Sequence, residues 1–131
     1  MSMRTVVLIV SLFPLAFEAR LMAQTKATPL LTKELPGVTG KEASMLTVEY
    51  APGQASSPHR HNASTFVYVL EGSVIMQVQG GKAMTLGPGE TFYESPDDVH
   101  VVSRNASDTK SARILVFFVK EKGTPASVPV K

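Results

Sequence analysis

Cysteine and tryptophan are both missing from the 131 residues of the chain, and only 18% of the residues are charged. Without cysteine, no disulfide can cross-link the fold, no thiolate can bind a metal and no lipid can be attached at a cysteine. Any metal would need nitrogen or oxygen ligands. The formal net charge of +2 is too small to indicate a nucleic-acid partner.

The N-terminus has the pattern of a signal peptide. Arg4 precedes an apolar run from Thr5 to Phe17, and Ala23 offers a small residue for cleavage. We therefore predict a signal peptide over residues 1–23 and an exported protein, periplasmic or secreted, without stable membrane insertion after cleavage. The apolar run is shorter than the roughly 20 residues of a spanning helix. An uncleaved anchor is the alternative, because Leu21 lies where a small residue is preferred.

The remainder of the chain has the pattern of an all-β domain. Short β-branched and aromatic runs recur between clusters of glycine, proline, asparagine and aspartate, and no helical periodicity is sustained. The predicted strands are Ser44–Tyr50, Thr65–Leu70, Ser73–Gln79, Ala83–Leu86, Thr91–Glu94, Val99–Ser103 and Ala112–Val119, with an edge strand around Leu30–Leu35. Their spacing of about 8–12 residues is typical of a sandwich or barrel.

The length of the chain supports a single folded domain after the leader. We predict an extended N-terminal segment over residues 24–43, a barrel over 44–119 and a C-terminal tail over 120–131, either a loose arm or a strap across the sheet. The apolar run around Phe117 and Phe118 lacks clean alternation, which favours a strand covered on both faces. A homodimer interface would explain how the second face of this strand is covered.

All three histidines of the chain are candidate metal ligands. His59 and His61 stand two residues apart, so on a strand their side chains share one face. His100 opens a later predicted strand, which an antiparallel barrel could bring beside the pair. Three imidazoles with open positions suit a catalytic divalent ion. If only His59 and His61 are considered, an ordinary surface loop is the more common explanation for two histidines at this spacing.

Two motifs resemble those of the cupin superfamily. The first runs from Gly53 through the histidine pair to Gly72, and the second begins at Gly89. The resemblance covers about Thr47 to Val119. The residues that carry it are Gly53, His59, His61, Gly72, Gly89, His100 and Asn105.

This resemblance implies a double-stranded β-helix, the cupin jelly-roll barrel, with His59, His61 and His100 as three of the four usual ligands. The family's glutamate falls on Thr65, whose hydroxyl could hydrogen-bond substrate or water, or could merely fill a strand position. A three-histidine centre is similar to the iron sites of some cupin dioxygenases. Fe²⁺ is therefore the expected ion, with Mn²⁺, Zn²⁺, Ni²⁺ or Cu²⁺ as alternatives.

Four other polar side chains flank these motifs: Gln54, Gln77, Glu90 and Glu94. One of them could enter the pocket as an acid, a base or a substitute ligand, although a solvated face is the default expectation for each.

The resulting functional hypothesis is a metal-dependent enzyme acting on a small organic molecule, with dioxygenase-type oxidation as the first choice. Cupin isomerase, cyclase or decarboxylase chemistry is the nearest alternative. A barrel that binds or senses a small ligand without turnover, and a barrel with degenerate motifs and no metal, are the others. No nucleic-acid partner is expected.

Overall fold

The computed structural model describes residues 25–130, so the predicted signal peptide lies outside the described residues. Ten strands make up this part of the chain: β1 (Lys26–Glu34), β2 (Lys41–Tyr50), β3 (His59–Arg60), β4 (Ala63–Glu71), β5 (Val74–Val78), β6 (Met84–Leu86), β7 (Thr91–Glu94), β8 (His100–Asn105), β9 (Ala112–Glu121) and β10 (Val128–Pro129). Between residues 25 and 130 there is no helix long and apolar enough to cross a membrane.

The strands form two five-stranded antiparallel sheets. Their orders are β1-β2-β9-β4-β7 and β10-β3-β8-β5-β6, so neighbours in each sheet are mostly distant in sequence. Such crossovers place the two histidine motifs in the same region although about forty residues separate them. The predicted all-β fold, a double-stranded β-helix, is confirmed.

The core lies between the two sheets and is built by alternation along the strands. On β9, alternate residues from Ala112 to Lys120 are buried, and those between them are half-buried. Phe118 points into the core with 1% of its surface exposed, whereas Phe117 faces the other side of the sheet. Because most residues of β9 on both faces are apolar, the sequence alone does not display this alternation.

The longer strands lie close to their predicted positions, but two short strands were not predicted. β3 and β10 contain two residues each, which is too short for a periodic pattern to be recognised. They pair with each other, Val128 opposite Arg60 and Pro129 opposite His59. The C-terminal tail is therefore a strap that ends beside the first histidine motif.

Asn105, at the end of β8, connects two loops, the one that follows β2 and the one between β8 and β9. It is 1% exposed, and its amide nitrogen lies 3.3, 3.1 and 2.7 Å from the carbonyl oxygens of Tyr50, Ala51 and Lys110. Its side-chain oxygen accepts a hydrogen bond of 2.8 Å from the backbone N–H of Ser107. The asparagine of the second motif therefore stabilises the loop framework at the end of the barrel.

Gly72 is required where β4 turns into β5. Its φ of 71° lies in the left-handed region, and a Cβ atom here would lie 2.5 Å from the carbonyl oxygen of Ser111. Gly72 thus makes a tight turn between two strands that lie in different sheets, so this glycine does not form the hairpin that a turn between neighbouring strands would predict. Close packing against Ser111 and Ala112 at the start of β9 excludes any larger residue.

Candidate metal centre

The three histidines converge at one end of the barrel. His59 on β3 is the direct cross-strand partner of His100 on β8. His61 follows β3, and Asn62 then takes a positive φ of 51°, a conformation that asparagine tolerates better than most residues. This local turn directs the chain into β4. One ring nitrogen from each histidine lies within 4.8 Å of the other two.

Backbone carbonyl groups orient the first two imidazoles. His59 Nδ1 lies 2.8 Å from the carbonyl oxygen of Ser57, and His61 Nδ1 lies 2.7 Å from that of Ala126. A carbonyl oxygen can only accept, so each Nδ1 carries the proton and each Nε2 presents a lone pair when the ring is neutral. The two Nε2 atoms are 3.2 Å apart. Two lone pairs at this separation favour a shared cation.

Burial keeps these two rings in the form that binds metal. The pKa values of His59 and His61 both lie below the ordinary value of 6.5, chiefly because burial disfavours the charged imidazolium. For His61, the nearby Glu94 carboxylate opposes this effect without reversing it. Both rings are therefore neutral near pH 7, so a metal does not have to displace protons from them.

Glu94 on β7 completes the cluster, and the expectation that its side chain is solvated was wrong. Only 1% of the residue is exposed. Its Oε1 lies 3.1 Å from His100 Nδ1, and its Oε2 lies 3.6 Å from His61 Nε2. The signal in the sequence was the two-residue period of a strand, because Glu94 shares a face with Phe92, which stacks on the ring of His100.

Four polar atoms of this cluster have no hydrogen-bond partner among the residues that the structure describes. They are the two carboxylate oxygens of Glu94 and the two ring nitrogens of His100, all of them buried. Burying a carboxylate without a hydrogen bond or a counter-charge lowers the free energy of unfolding by roughly several kcal/mol. A divalent cation would satisfy these atoms, so the residues present fit a metal with nitrogen and oxygen ligands.

Thr65 lies next to this cluster but outside the cavity wall. The residue is 0% exposed, and its hydroxyl donates a hydrogen bond of 3.3 Å to the carbonyl oxygen of Ala63. On the neighbouring strand its direct partner is Glu94. The other flanking candidates have local contacts instead: Gln54 and Glu90 accept hydrogen bonds from backbone N–H groups, and Gln77 donates one to a backbone carbonyl.

A cavity of about 420 Å³ opens beside the histidines. His59, His61 and Glu94 lie on its wall, and no lysine or arginine of residues 25–130 lines it. Tyr50 also lines the cavity; its hydroxyl is 2.6 Å from Ser103 Oγ, and burial raises its pKa, so it stays protonated. The apolar part of the wall includes Leu46, Val48, Val67, Ile114, Val116 and Phe118.

Curated relatives match this region of the chain. The germin-like protein 5-1 of Oryza sativa subsp. japonica is 31% identical over 97 residues, covering 70% of this chain and 43% of the relative. The rhicadhesin receptor of Pisum sativum is 35% identical over 78 residues, covering 56% of this chain and 36% of the receptor. The chain spans less than half the length of either relative.

Solved structures share the fold. The DMSP lyase DddQ from Ruegeria pomeroyi DSS-3 is similar with a TM-score of 0.68 at 19% identity, covering 88% of this chain and 56% of the lyase. An oxalate oxidase in complex with the substrate analogue glycolate gives a TM-score of 0.57 at 28% identity, covering 67% of this chain and 46% of the oxidase. A double-stranded β-helix protein from Klebsiella pneumoniae gives a TM-score of 0.63 at 17% identity, covering 82% of this chain and 85% of that protein.

The family assignment agrees with both sets of similarities. The Cupin_2 profile, described as the cupin domain, matches residues 46–118, which is more than half of the chain. This match contains all three histidines and all strands from β3 to β8. The chain therefore belongs to the cupin family.

Proposed function

We propose that this cupin is a metal-dependent enzyme that oxidises a small organic molecule, with dioxygenase-type chemistry as the first choice. The supporting observation is the pair of Nε2 lone pairs of His59 and His61, 3.2 Å apart on the wall of an open cavity. His100 supplies the third nitrogen. A centre that faces a cavity leaves coordination positions for substrate, as catalytic metal sites require.

The cavity favours a largely apolar substrate with a single acidic or chelating group. Within the described part of the chain, its lining has no lysine or arginine that could bind a second carboxylate. The solved relative is an oxalate oxidase with bound glycolate, whereas a cavity of about 420 Å³ with an aliphatic wall accommodates a larger molecule than either compound. We therefore do not propose oxalate as a substrate of this protein.

Fe²⁺ is the proposed ion, and Mn²⁺, Zn²⁺, Ni²⁺ and Cu²⁺ are alternatives that the same donor atoms bind. The ion would supply Lewis-acid activation and, for iron, redox chemistry with dioxygen. Protein residues would orient and shield the reactants. Phe118 packs on His61 with ring centroids 5.0 Å apart, and the apolar wall excludes water. Thr65 is buried outside the cavity wall, so a hydrogen bond from substrate or water to its hydroxyl would require this side chain to become accessible when the site is occupied.

Metal analysis with oxygen uptake tests this function. We expect near-stoichiometric metal in the purified protein, its loss in a His59→Ala/His61→Ala double variant, and oxygen consumption by the iron-loaded form with enolic or thiol-bearing acids. Stoichiometric ligand binding without turnover would instead support a binding or sensing protein. Absence of metal from the wild type after reconstitution would refute the metal-dependent function altogether.

We further propose that the mature protein is exported and forms a homodimer through the outer face of the sheet containing β1. Phe66, Tyr68 and Tyr93 are 45–51% exposed on this face. Phe66 packs against Tyr93 and Phe117 with ring centroids 5.1 and 6.0 Å apart, forming a rigid apolar surface. A second copy, related by a two-fold axis, would bury the same surface on both partners.

A further inference from the structure

The family's usual glutamate has a counterpart on the neighbouring strand. The cupin resemblance places that glutamate at Thr65 on β4, and Thr65 pairs directly with Glu94 on β7. Both residues face inward and are 0% and 1% exposed. Directly paired residues on one face of a sheet have Cβ atoms about 5 Å apart, which is comparable to the length of an extended glutamate side chain. A carboxylate from either position can therefore approach the same histidines.

The contacts of Glu94 are those of a ligand rather than of a hydrogen-bonded side chain. His61 Nε2 presents a lone pair, because Nδ1 donates to Ala126, so the 3.6 Å contact with Glu94 Oε2 joins two electron-rich atoms. His100 Nδ1 lies 3.1 Å from Oε1, yet neither atom has a partner with hydrogen-bond geometry. Two ligands about 2.1 Å from one metal are roughly 3.0–3.4 Å apart.

We infer that Glu94 is the fourth protein ligand of the metal. The carboxylate ligand of this centre then comes from β7 instead of from the paired position on β4. This inference rests on the proposed function, because it concerns the same centre. With three neutral imidazoles and one carboxylate, a divalent ion retains a net charge of +1 rather than +2. The centre then neutralises a substrate with one negative charge, which agrees with a cavity that no lysine or arginine lines in the described structure.

Metal affinity and infrared spectroscopy test this role without an activity assay. We expect Glu94→Gln, which removes the charge and keeps the size, to weaken Mn²⁺ binding by about 100-fold in a competition titration with a chelator. Glu71→Gln is the matched control, since that side chain is 66% exposed in a surface ion pair with Arg113. In the wild type, Mn²⁺ should shift carboxylate stretching bands in a metal-minus-apo infrared difference spectrum, and this shift should be missing from Glu94→Gln.

A strand-swap variant tests the equivalence of the two positions. The double variant Thr65→Glu/Glu94→Thr retains both side-chain types. We expect its affinity for Mn²⁺ to be at least tenfold higher than that of Glu94→Thr. Recovery in a folded protein, checked by circular dichroism, would support the transposed ligand, and no recovery would refute the equivalence.

Two results would overturn the inference while leaving the proposed function standing. One is wild-type Mn²⁺ affinity in Glu94→Gln. The other is a wild-type difference spectrum without a carboxylate shift, which would make Glu94 a positioning residue for His100. A wild-type protein that binds no metal would instead refute the proposed function itself.

Discussion

Replacing Asn105 with alanine should destabilise the fold without touching the metal centre. The substitution removes the amide that faces three backbone carbonyl groups and the oxygen that accepts from Ser107. Because the site is closed to solvent, water cannot replace these bonds. The resemblance to the second cupin motif identified this asparagine, and the structure gives it an architectural role.

The expected loss of unfolding free energy follows from the number of hydrogen bonds that the substitution removes. The amide has two N–H groups for three carbonyl groups, so two full hydrogen bonds are donated and one is accepted. At about 1 kcal/mol net for each bond, with an added penalty for buried groups left unsatisfied, the loss is about 3–4 kcal/mol. For a domain of this size, about 1 kcal/mol corresponds to about 4 °C in Tm. We therefore expect Tm to fall by about 12–16 °C.

Urea unfolding of the metal-free protein measures this loss. Gln77→Ala is the matched control, because its amide donates one exposed hydrogen bond to Gly81 and should cost less than about 1 kcal/mol. Relative to wild type at the same pH, Asn105→Asp should lose less stability at pH 5 than at pH 7, since only the protonated acid can donate to a carbonyl oxygen. A loss below about 1 kcal/mol in Asn105→Ala would refute the role of this residue.

Three further predictions concern the site and the surface. Because the pKa values of His59 and His61 are lowered in the fold, the unfolded chain binds more protons below the ordinary value of 6.5. The metal-free protein should therefore lose stability in urea as pH falls from about 7 to about 5, and a double alanine variant should show a flatter profile. Thr65→Val should keep its metal, measured by elemental analysis, and lose turnover; unchanged turnover would leave Thr65 a packing residue. Phe66→Arg should make the protein monomeric by light scattering, and a monomeric wild type would contradict the dimer.

Much of the strand pattern could be predicted from the sequence because strands and turns leave local signals. β7 was predicted with its observed bounds, and β4 and β9 differ from prediction by only a few terminal residues. The histidine pair was predicted to converge because residues two apart on a strand share a face. In the structure, His61 lies beside His59 although it is one residue beyond the end of β3. It precedes Asn62, whose backbone has a left-handed conformation.

The rest of the site depends on information that is not local. Glu94 is a charged residue at a strand end, where exposure is the usual outcome. The two-residue period places it on the same face as Phe92, and its pairing with Thr65 shows that this face is turned toward the core. The carbonyl group that orients His61 belongs to Ala126, 65 residues later, in a segment without periodicity. Long-range register of this kind cannot be read from a single sequence.

The strap near the C-terminus has a consequence for the order of events during biosynthesis. The orientation of His61 depends on Ala126, and β3 is paired with β10, so the centre cannot be fully assembled on a ribosome-bound chain that ends before this segment. Closing such a long loop is among the late steps of folding. Metal selection would therefore follow the synthesis of this segment, and the ions available where folding is completed would determine which metal is acquired.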